Sequence, residues 1–330
     1  MKAIVLNGHG SADIMAIGEV GRPTPAADEV LIRVEATSIN RPDIIQREGR
    51  YPPPPGASEI LGLDAAGTIS ETGADVTEWR VGDRVTALLS GGGYGQFATA
   101  HTGHVLAIPK HMSFEQAACI PEAYITAFQN LFINTRLANG ETVLLHGGGG
   151  GVNTAAIQIC KALVPDSCVI VTASPHKLER VKAIGANHVI DYVHEDFAER
   201  VRSITDKRGA DVILDHIGAA YFGKNCASLA IGGRLVIIAT LSGREAQIDL
   251  GRLMVKRQSI VGSVLRSRPT PEKAAIVRQF RKQVLRHFDA GEIMPVIDRV
   301  MPLEQAADAH RLMESSGHFG KIVLRVLHDD

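Results

Sequence analysis

Hydrophobic and polar positions follow two different patterns in this chain, and the change falls near Glu122. Before that point, short apolar stretches alternate with turns. Val30 to Ser38 alternates apolar and polar residues, as a strand with one buried face does, and Ile60 to Gly73 and Arg84 to Leu89 are similar. Strands at this spacing predict a compact, barrel-like β domain.

After Ala123, apolar strands alternate with helices. The predicted strands are Thr142 to His146, Cys168 to Thr172, His188 to Asp191, Asp211 to Asp215, Arg234 to Thr240 and Ser259 to Leu265. Crossover helices between such strands indicate a parallel sheet covered on both faces, the doubly wound Rossmann arrangement, here with six strands. Ligands of such a sheet bind at the carboxyl ends of its strands. The predicted fold class is therefore α/β.

The last part of the chain returns to the first pattern. Pro271 to Ala290 is predicted as one long helical stretch. The final GKIVLRVL, rich in β-branched residues, is predicted to close the amino-terminal domain as a strand. That domain is then discontinuous, with predicted limits at residues 1–123 and 268–330, and the dinucleotide-binding domain occupies residues 124–267.

Five consecutive glycines, Gly147 to Gly151, join the first Rossmann strand to a predicted helix, Val152 to Leu163. Without Cβ atoms, the backbone N–H groups of this run can close on a pyrophosphate at the helix amino terminus. The run alone fits a flexible turn equally well, but the strand before it and the strand after the helix make a βαβ dinucleotide unit. Asn153 replaces the third glycine of the fingerprint, which puts close packing of the helix on the sheet in question. The predicted cofactor contacts are Gly148, Gly150, Gly151, Val152 and Asn153.

The end of the second Rossmann strand indicates which dinucleotide is bound. An acidic residue there would hold the ribose hydroxyls of NAD and repel the additional phosphate of NADP. This chain has no acid between Ala173 and Glu179, whereas Ser174 offers a hydrogen-bond donor and Lys177 a positive charge. The pattern favours NADP. The alternative is that Lys177 is an ordinary surface lysine in the first turn of a helix.

Three further candidate contacts follow the ends of later strands. Tyr192 comes after the third strand and is a candidate to stack on the adenosine end of the cofactor or to bind its phosphate. Ile217 and Leu241 follow the fourth and fifth strands and are expected to line the cofactor site. Each of the three is explained about as well by a turn at the end of a strand.

Composition excludes several other classes of protein. The 330 residues carry a net charge of −1 and are 45% hydrophobic, so the length suggests two domains and no basic excess favours nucleic acid or an acidic membrane surface. No stretch approaches the roughly 20 apolar residues of a membrane span, and the amino terminus lacks a signal-peptide pattern, which predicts a cytosolic protein. The four cysteines, Cys119, Cys160, Cys168 and Cys226, are scattered and read as buried small hydrophobes rather than zinc or redox pairs.

A polar segment interrupts the β domain between Ser38 and Leu63. Its prolines, Pro52 to Pro55, predict a stiff, extended loop that presents Tyr51 at a fixed place. Polar groups on such loops often carry function, and the candidates are Asn40, Asp43, Arg47 and Tyr51. The alternative is a surface loop with a solvated tyrosine.

The polar segment and the glycine loop together resemble the zinc-independent quinone oxidoreductases of the medium-chain dehydrogenase/reductase superfamily, and more closely the p53-inducible quinone oxidoreductase-like branch. The matching words are Asn40-Arg41-x-Asp43, Gln46-Arg47-x-Gly49-x-Tyr51, Pro53-Pro54-Pro55-Gly56-Ala57-Ser58, Ile60-Leu61-Gly62-Leu63, Ile120-Pro121-Glu122-Ala123, Thr126-Ala127-Phe128-Gln129, Leu265-Arg266-Ser267-Arg268 and Gly320-Lys321-Ile322-Val323-Leu324. The resemblance spans essentially the whole chain.

This resemblance implies a GroES-like β-barrel-type catalytic domain beside the Rossmann domain. It also implies an NADPH-dependent enzyme that passes hydride to a quinone or to an activated alkene such as an enone. Tyr51 is the expected hydrogen-bond donor to the acceptor or shapes its pocket, with Asn40 and Asp43 positioning the loop and the cofactor. The further cofactor contacts that it implies are Thr126, Leu265, Arg266 and Lys321. A homodimer is expected, joined through the sheet edge Ser259 to Leu265.

Zinc ligands of the metal-dependent relatives have no counterpart in this sequence. No cysteine lies between Asn40 and Asp43, Leu63-Asp64 replaces the His-Glu pair, and no cysteine cluster follows Gly82. Because a zinc site needs about three or four such ligands in register, no metal is expected.

Two alternative functions stay open. One is an NADPH-binding sensor or stress protein with little turnover, since Asn153 in place of glycine would weaken cofactor binding. The other is an enoyl reductase of the same superfamily, which would need a basic patch for a phosphopantetheine carrier. Arg266, Arg268 and Lys273 are the candidates for that patch, although such small groups of charge are expected to form a solvated surface.

Overall fold

A computed structural model describes residues 1–328, and it divides the chain into two compact units. Unit 1 comprises Met1–Ile125 together with residues from Leu265 onward, and unit 2 comprises Thr126–Val264. Unit 1 is therefore assembled from two stretches that unit 2 separates in the sequence. The domain limits given above stay a prediction, and residues 329 and 330, which that prediction includes, lie outside the described residues.

The first stretch of unit 1 consists mainly of strands. They are β1 (Lys2–Leu6), β2 (Met15–Glu19), β3 (Glu29–Ser38), β4 (Asp64–Thr72), β5 (Arg84–Leu88), β6 (Phe97–His101) and β7 (Val105–Ala107). Three helices occur up to residue 128: α1 (Arg41–Arg47), α2 (Phe114–Ala117) and α3 (Pro121–Phe128). A π-helical turn, Gln129–Asn134, follows α3.

Unit 2 alternates strands and helices. Its strands are β8 (Thr142–His146), β9 (Cys168–Ala173), β10 (His188–Asp191), β11 (Ala210–Asp215), β12 (Leu229–Ile237) and β13 (Ser259–Gly262). Its helices are α4 (Gly151–Leu163), α5 (Leu178–Ala183), α6 (Phe197–Ile204), α7 (Ala219–Ser228) and α8 (Leu250–Val255). The strands form one parallel sheet in the order β10-β9-β8-β11-β12-β13, which confirms the predicted six-stranded Rossmann sheet.

The order of these strands reverses between β8 and β11, and this is the point where a doubly wound sheet opens a crevice at the strand ends. All five residues of β8 are buried, as expected for a central strand covered on both faces. The glycine run begins directly after β8. The fold therefore places the predicted phosphate loop at the switch point of the sheet.

The chain then returns to unit 1. The remaining elements are α9 (Thr270–Gln283), α10 (Leu285–Asp289), β14 (Ile297–Pro302), α11 (Ala306–Glu314) and β15 (Lys321–Arg325). β15 pairs antiparallel with the end of β3 and parallel with β14, so the predicted return of the final strand is confirmed. The sheet runs β14-β15-β3-β4-β5-β7, β6 also pairs with β3, and β1 and β2 form a small separate sheet.

One prediction about helices is wrong. The segment from Ser38 to Leu63 is not all loop, because α1 begins after Asn40. The Asp43 carboxylate accepts the Asn40 backbone N–H at 2.8 Å, and Pro42 lies in the first turn, where proline fits a helix. The helical stretch predicted from Pro271 to Ala290 is confirmed as two consecutive helices, α9 and α10, with the wholly buried Val284 between them.

Strand limits shift by a few residues in unit 2. β12 begins and ends earlier than predicted, and β13 stops at Gly262, three residues before the predicted end at Leu265. Each unit has its own apolar core, with Val30, Ile32 and Leu324 in unit 1 and Leu144, Ile170 and Ile213 in unit 2. None of the helices in residues 1–328 has the length and apolar character needed to cross a membrane.

Candidate active site

The glycine loop of unit 2 is constrained by its own neighbours at three positions. Gly147 has φ +73°, and a Cβ there would lie 2.6 Å from the His216 ring. A Cβ at Gly148 would lie 2.3 Å from Val171, and one at Gly149 would lie 2.4 Å from Lys177 Cδ. Gly147 and Gly148 therefore need glycine for the protein's own packing, and a side chain at Gly149 would displace the Lys177 side chain.

Gly150 differs from these three glycines. A Cβ at this position would find no atom closer than the Gly147 oxygen at 3.5 Å, which is ordinary contact. Its φ of −85° also suits any residue. Gly150 directly precedes α4, so its open side adjoins the backbone N–H groups at the amino terminus of a 13-residue helix. The glycine loop and the amino terminus of α4 together form a cradle, and this glycine cradle fits the phosphates of a dinucleotide.

Asn153 takes the place of the third fingerprint glycine and lies almost wholly buried in α4. Its Nδ2 donates a hydrogen bond to the Gly147 oxygen at 3.1 Å and another to the His146 oxygen. The side chain thus connects the start of α4 to the end of β8. Its Oδ1 is buried without a hydrogen-bond partner in the described part of the chain.

Lys177 is not the surface lysine of the alternative interpretation, because it is only 8% exposed. Its side chain lies against the glycine loop, and Nζ is 3.2 Å from the position that a Gly149 Cβ would occupy. Ser174, which is half-buried, accepts the Lys177 backbone N–H through its carbonyl at 2.9 Å. A short 3₁₀ turn, Pro175–Lys177, thus carries the lysine from the end of β9 to the loop.

Two of the three strand-end candidates are brought together. The loops that follow β11 and β12 are joined by the hydrogen bonds from Leu241 N to His216 O and from Ser242 N to Ile217 O. Asp215 holds the first of these loops, because its carboxylate accepts the N–H groups of Ile217 and Gly218. Burial raises the pKa of Asp215. Tyr192 lies beyond β10 and is 44% exposed, and Leu241 is 50% exposed.

Thr126, the first residue of unit 2, has a buried hydroxyl with no hydrogen-bond partner among residues 1–328. Its carbonyl oxygen accepts the Asn130 side-chain amide at 2.8 Å. The π-helical turn that follows, an arrangement often found at functional sites, aligns the Gln129 and Asn134 amides on the Ser263 hydroxyl.

Unit 1 contains a buried polar cluster centred on Asp64, which has no exposed surface. Its carboxylate accepts hydrogen bonds from Ser38 Oγ at 2.5 Å, Asn40 Nδ2 at 2.7 Å and the Glu122 backbone N–H at 2.7 Å. Lys321 Nζ lies 3.6 Å from the same carboxylate and donates to Asn40 Oδ1 at 2.6 Å and to Ile39 O at 3.0 Å. Asn40 and Lys321 are thus both fixed by partners inside unit 1.

Asp43 belongs to a second chain of contacts. Its carboxylate accepts the Asn40 and Gly62 N–H groups and the Tyr94 hydroxyl, the last at 3.2 Å. The Tyr94 hydroxyl also lies 3.1 Å from the His310 ring, and Arg47 contacts the other nitrogen of that ring. Burial is the main cause that raises the Asp43 pKa to about 6, and it lowers the pKa of His310 to about 3. Asp43, like Asn40, therefore faces the interior.

Tyr51 and Arg266 are adjacent. The Arg266 guanidinium lies 5.2 Å from the centre of the Tyr51 ring, and its N–H groups donate to the Ser90 carbonyl oxygen and to Gln46 Oε1. The Tyr51 side chain is half-buried, and its hydroxyl has no hydrogen-bond partner within residues 1–328. Burial raises the pKa of that hydroxyl, and the Glu122 carboxyl adds to the effect.

The expected solvated basic patch is wrong for two of its three members. Arg266 is 3% exposed and Lys273 is 6% exposed, and Lys273 Nζ donates to Ser90 Oγ at 2.7 Å. Only Arg268 has a partly exposed side chain, which forms an ion pair with Glu272. Leu265, which precedes these residues, is buried in unit 1.

Sequence reasoning missed two acidic residues of unit 1 as site residues. Asp64 and Glu122 are each the lone charged residue in an apolar stretch, ILGLDAAG and ACIPEAYITAF, and this pattern is the signal that singles them out. A lone acid in such a stretch must find partners in the folded protein or become neutral. Within residues 1–328, no group of three or more His, Cys, Asp or Glu side chains is placed to hold a metal ion.

The glycine cradle at the switch point of a parallel sheet defines unit 2 as a dinucleotide-binding unit. Comparisons with known proteins are consistent with this class. The model of the alcohol dehydrogenase GroES-like domain matches residues 26–122, and that of the zinc-binding dehydrogenase family matches residues 184–324.

Individual relatives cover nearly the whole chain. The quinone oxidoreductase of Lama guanicoe is 32% identical over 328 residues, covering 98% of this chain and 97% of that protein. The synaptic vesicle membrane protein VAT-1 homolog of Danio rerio is 32% identical over 340 residues, covering 98% of this chain and 69% of that protein. Among solved structures, Escherichia coli quinone oxidoreductase complexed with NADPH aligns with a TM-score of 0.88 at 27% identity, covering 98% of this chain and all of that one. The chain belongs to the medium-chain dehydrogenase/reductase superfamily and is an oxidoreductase related to its quinone oxidoreductases.

Proposed function

We propose that this protein is an NADPH-dependent, zinc-independent reductase that transfers hydride to a quinone or to an activated alkene. The observation that carries the proposal is the position of Lys177, whose buried side chain brings an ammonium group against the glycine loop. A cation there, with no acidic residue between the end of β9 and Glu179, suits the additional phosphate of NADPH. The complex of the Escherichia coli relative with NADPH supports the same choice.

The cofactor, when bound, supplies the hydride, and the residues of unit 2 bind and orient it. We assign the phosphates to Gly148, Gly150, Gly151, Val152 and Asn153, and the additional phosphate to Ser174 and Lys177. Thr126, Tyr192, Ile217 and Leu241 are proposed to contact the remainder. Leu265, Arg266 and Lys321 are further proposed contacts, and all three side chains are buried within unit 1.

Tyr51 is proposed to donate a hydrogen bond to the acceptor. Its hydroxyl has no partner within the described residues, and the Arg266 guanidinium on its ring adds positive charge where an oxyanion would develop. Asn40 and Asp43 face the interior and fix the start of α1, so their proposed role is to position the segment that carries Tyr51.

The proposal is tested by following NADPH oxidation with a benzoquinone, a naphthoquinone, an ortho-quinone, a 2-alkenal and an enone, with NADH in parallel. We expect turnover that favours NADPH. Lys177→Ala should lower the affinity for NADPH by about tenfold or more and leave NADH almost unaffected, since the lost interaction is a charge-assisted hydrogen bond. Lys182→Ala, which removes an exposed lysine of α5, is the matched control.

Two results would contradict the proposal. Tight NADPH binding with no turnover on any acceptor would indicate the binding-protein alternative. Equal loss of NADPH and NADH affinity in Lys177→Ala would remove the argument for NADPH. Tyr51→Phe tests the donor role separately, because an unchanged rate at unchanged NADPH affinity would exclude it.

We also propose a homodimer joined through the free edge of β13. This strand ends the sheet of unit 2, and an open sheet edge tends to find a partner. The neighbouring helix α8 exposes three large apolar side chains, Leu250, Met254 and Val255, each at least two-thirds accessible to solvent. Apolar surface of this kind favours a protein partner.

A further inference from the structure

Glu122 has a buried carboxyl oxygen that finds no hydrogen-bond partner among residues 1–328. It lies in the first turn of α3, and its backbone N–H is used by Asp64. The residue is 9% exposed, and its Oε2 has no hydrogen-bond partner in the part of the chain that the structure describes. A buried polar atom left in this way costs stability, so it calls for an explanation.

Burial, more than the charged groups nearby, keeps the Glu122 carboxyl neutral. The acidic neighbours of Glu122 are Asp64 and Asp43, and its basic neighbours are Lys321, Arg266 and Lys273. The cations are already engaged: Lys321 with Asn40, Ile39 and Asp64, Arg266 with Ser90 and Gln46, and Lys273 with Ser90. Burial, followed by the nearby Asp64 carboxylate, raises the pKa of Glu122 to about 8. Near pH 7 the carboxyl group therefore carries a proton.

We propose that Glu122 is the proton donor of the reduction, giving its carboxyl proton to the carbonyl oxygen of the acceptor. This inference rests on the proposed reductase function. The acceptor oxygen supplies the hydrogen-bond partner that Oε2 of Glu122 lacks among residues 1–328.

The step balances in atoms and electrons. The hydride forms a bond with the conjugated system of the acceptor, and an electron pair moves onto the carbonyl oxygen. That oxygen takes the proton as the O–H bond of Glu122 breaks. The acceptor gains two electrons and NADPH becomes NADP⁺. The Glu122 carboxylate regains one proton from water before the next turnover.

Tyr51 has a different part in this arrangement. Its pKa is raised by burial and by the Glu122 carboxyl, so the hydroxyl keeps its proton throughout and contributes a hydrogen bond only. The Arg266 charge, which lies over the Tyr51 ring, favours the Glu122 carboxylate once the proton has left. Tyr51 therefore stabilises charge on the acceptor oxygen, whereas Glu122 neutralises it.

The test is the pH dependence of kcat/KM for NADPH and a benzoquinone in the wild type, Glu122→Gln and Glu122→Asp. Glutamine keeps the size of the side chain but cannot give up a proton. The wild-type rate should fall above about pH 8. Glu122→Gln should be slower by about 100-fold near pH 7, and its rate should not fall further above about pH 8. Glu122→Asp should recover part of the rate, and that rate should again fall at high pH.

Glu115→Gln is the matched control, because it removes a carboxyl from α2 in the same unit, where the side chain pairs with Arg325. It should match the wild type. A wild-type rate and pH profile in Glu122→Gln would overturn the proposal while leaving the reductase function intact, and so would a flat, inactive Glu122→Asp that still binds NADPH. Absence of turnover in the wild type would instead overturn the reductase function, and this proposal with it.

Discussion

Single residues of the glycine loop serve two different needs. Neighbouring side chains restrict substitution at Gly147, Gly148 and Gly149, whereas the side of Gly150 is open. These four glycines look alike in the sequence, so only the folded structure separates the three that neighbours restrict from Gly150, whose side is open to a ligand.

Gly150→Ala should fold with nearly unchanged stability but bind NADPH about tenfold or more weakly, because the added methyl group would meet only the ligand. Gly148→Ala is the contrasting variant and should lose stability outright, since its Cβ would lie 2.3 Å from Val171. Thermal unfolding and a fluorescence titration with NADPH measure the two effects. Equal behaviour of the two variants would contradict this division of roles.

Asp43 gives a prediction for stability and pH. Its pKa is raised in the folded protein from 3.8 to about 6, so folding favours the protonated form, and the stability this provides is lost as the pH rises through about 6. Asp43→Asn cannot accept from all three donors and should be less stable than the wild type at about pH 4. The difference in free energy of unfolding between the two proteins should be about 3 kcal/mol smaller at neutral pH, because only the wild type must ionise a buried carboxyl group there.

Urea unfolding of both proteins between about pH 4 and about pH 8 measures this difference. Glu35→Gln, on β3 in the same unit, provides a carboxyl-removal control outside the buried cluster. A deficit that stayed constant over this range would show that Asp43 does not titrate in the way its burial implies.

At the scale of elements, the connection between β8 and α4 carries Asn153 in place of the third fingerprint glycine, and this residue adds hydrogen bonds. The Asn153 amide donates to the carbonyl oxygens of His146 and Gly147 and so connects the helix to the loop. Asn153→Gly would restore the fingerprint and yet remove both hydrogen bonds and place a glycine inside a helix.

We therefore expect Asn153→Gly to lower the free energy of unfolding by about 2 kcal/mol and to weaken NADPH binding, in contrast to the sequence-based expectation that Asn153 weakens it. Denaturant unfolding and an NADPH titration test both parts. Asn153→Asp, which removes the amide donor but retains the shape, should also weaken binding. Tighter binding by Asn153→Gly would support the original expectation instead.

The order of elements in unit 2 was predictable because its central strands contain short apolar runs, such as Val143 to Leu145 in β8, separated by helical segments and turn residues. Helix α1 was missed because it has only seven residues and begins in a polar, proline-rich segment. Its start is stabilised by the hydrogen bond from the Asn40 N–H to the Asp43 carboxylate, and the composition of the segment does not indicate this contact. The one-residue interruption between α9 and α10 falls at Val284, and no glycine or proline marks this place in the sequence.

The candidate site divides in the same way. The glycine loop and Lys177 lie at places that the strand order alone fixes, so their chemistry could be predicted from the sequence. The cluster of Asp64, Glu122 and Lys321 joins three distant parts of the chain, and its charges acquire their properties only from burial and from each other. The burial of Arg266 and Lys273 could not be predicted from the sequence either, because charged residues of this kind are expected at the surface.

At the scale of the whole molecule, the proposed dimer predicts a particle of about twice the 35.3 kDa chain mass in light scattering. Met254→Asp places a charge on the exposed apolar face of α8 and should shift the population toward monomer. Val81→Asp alters an equally exposed apolar residue of unit 1 and serves as the control. A monomeric wild type, or equal effects of the two variants, would contradict an interface at this edge.

The inclusion of β15 in the sheet of unit 1 affects how the chain acquires its structure during synthesis. All six strands of unit 2 have been made by Gly262, so this unit can fold on the ribosome while unit 1 still lacks β14 and β15. The backbone of Ala36, Thr37 and Ser38 stays unpaired along one edge until β15 is made. The part of the protein that is translated first is thus completed last, and during that interval the open β3 edge is the segment most exposed to aggregation and to chaperones.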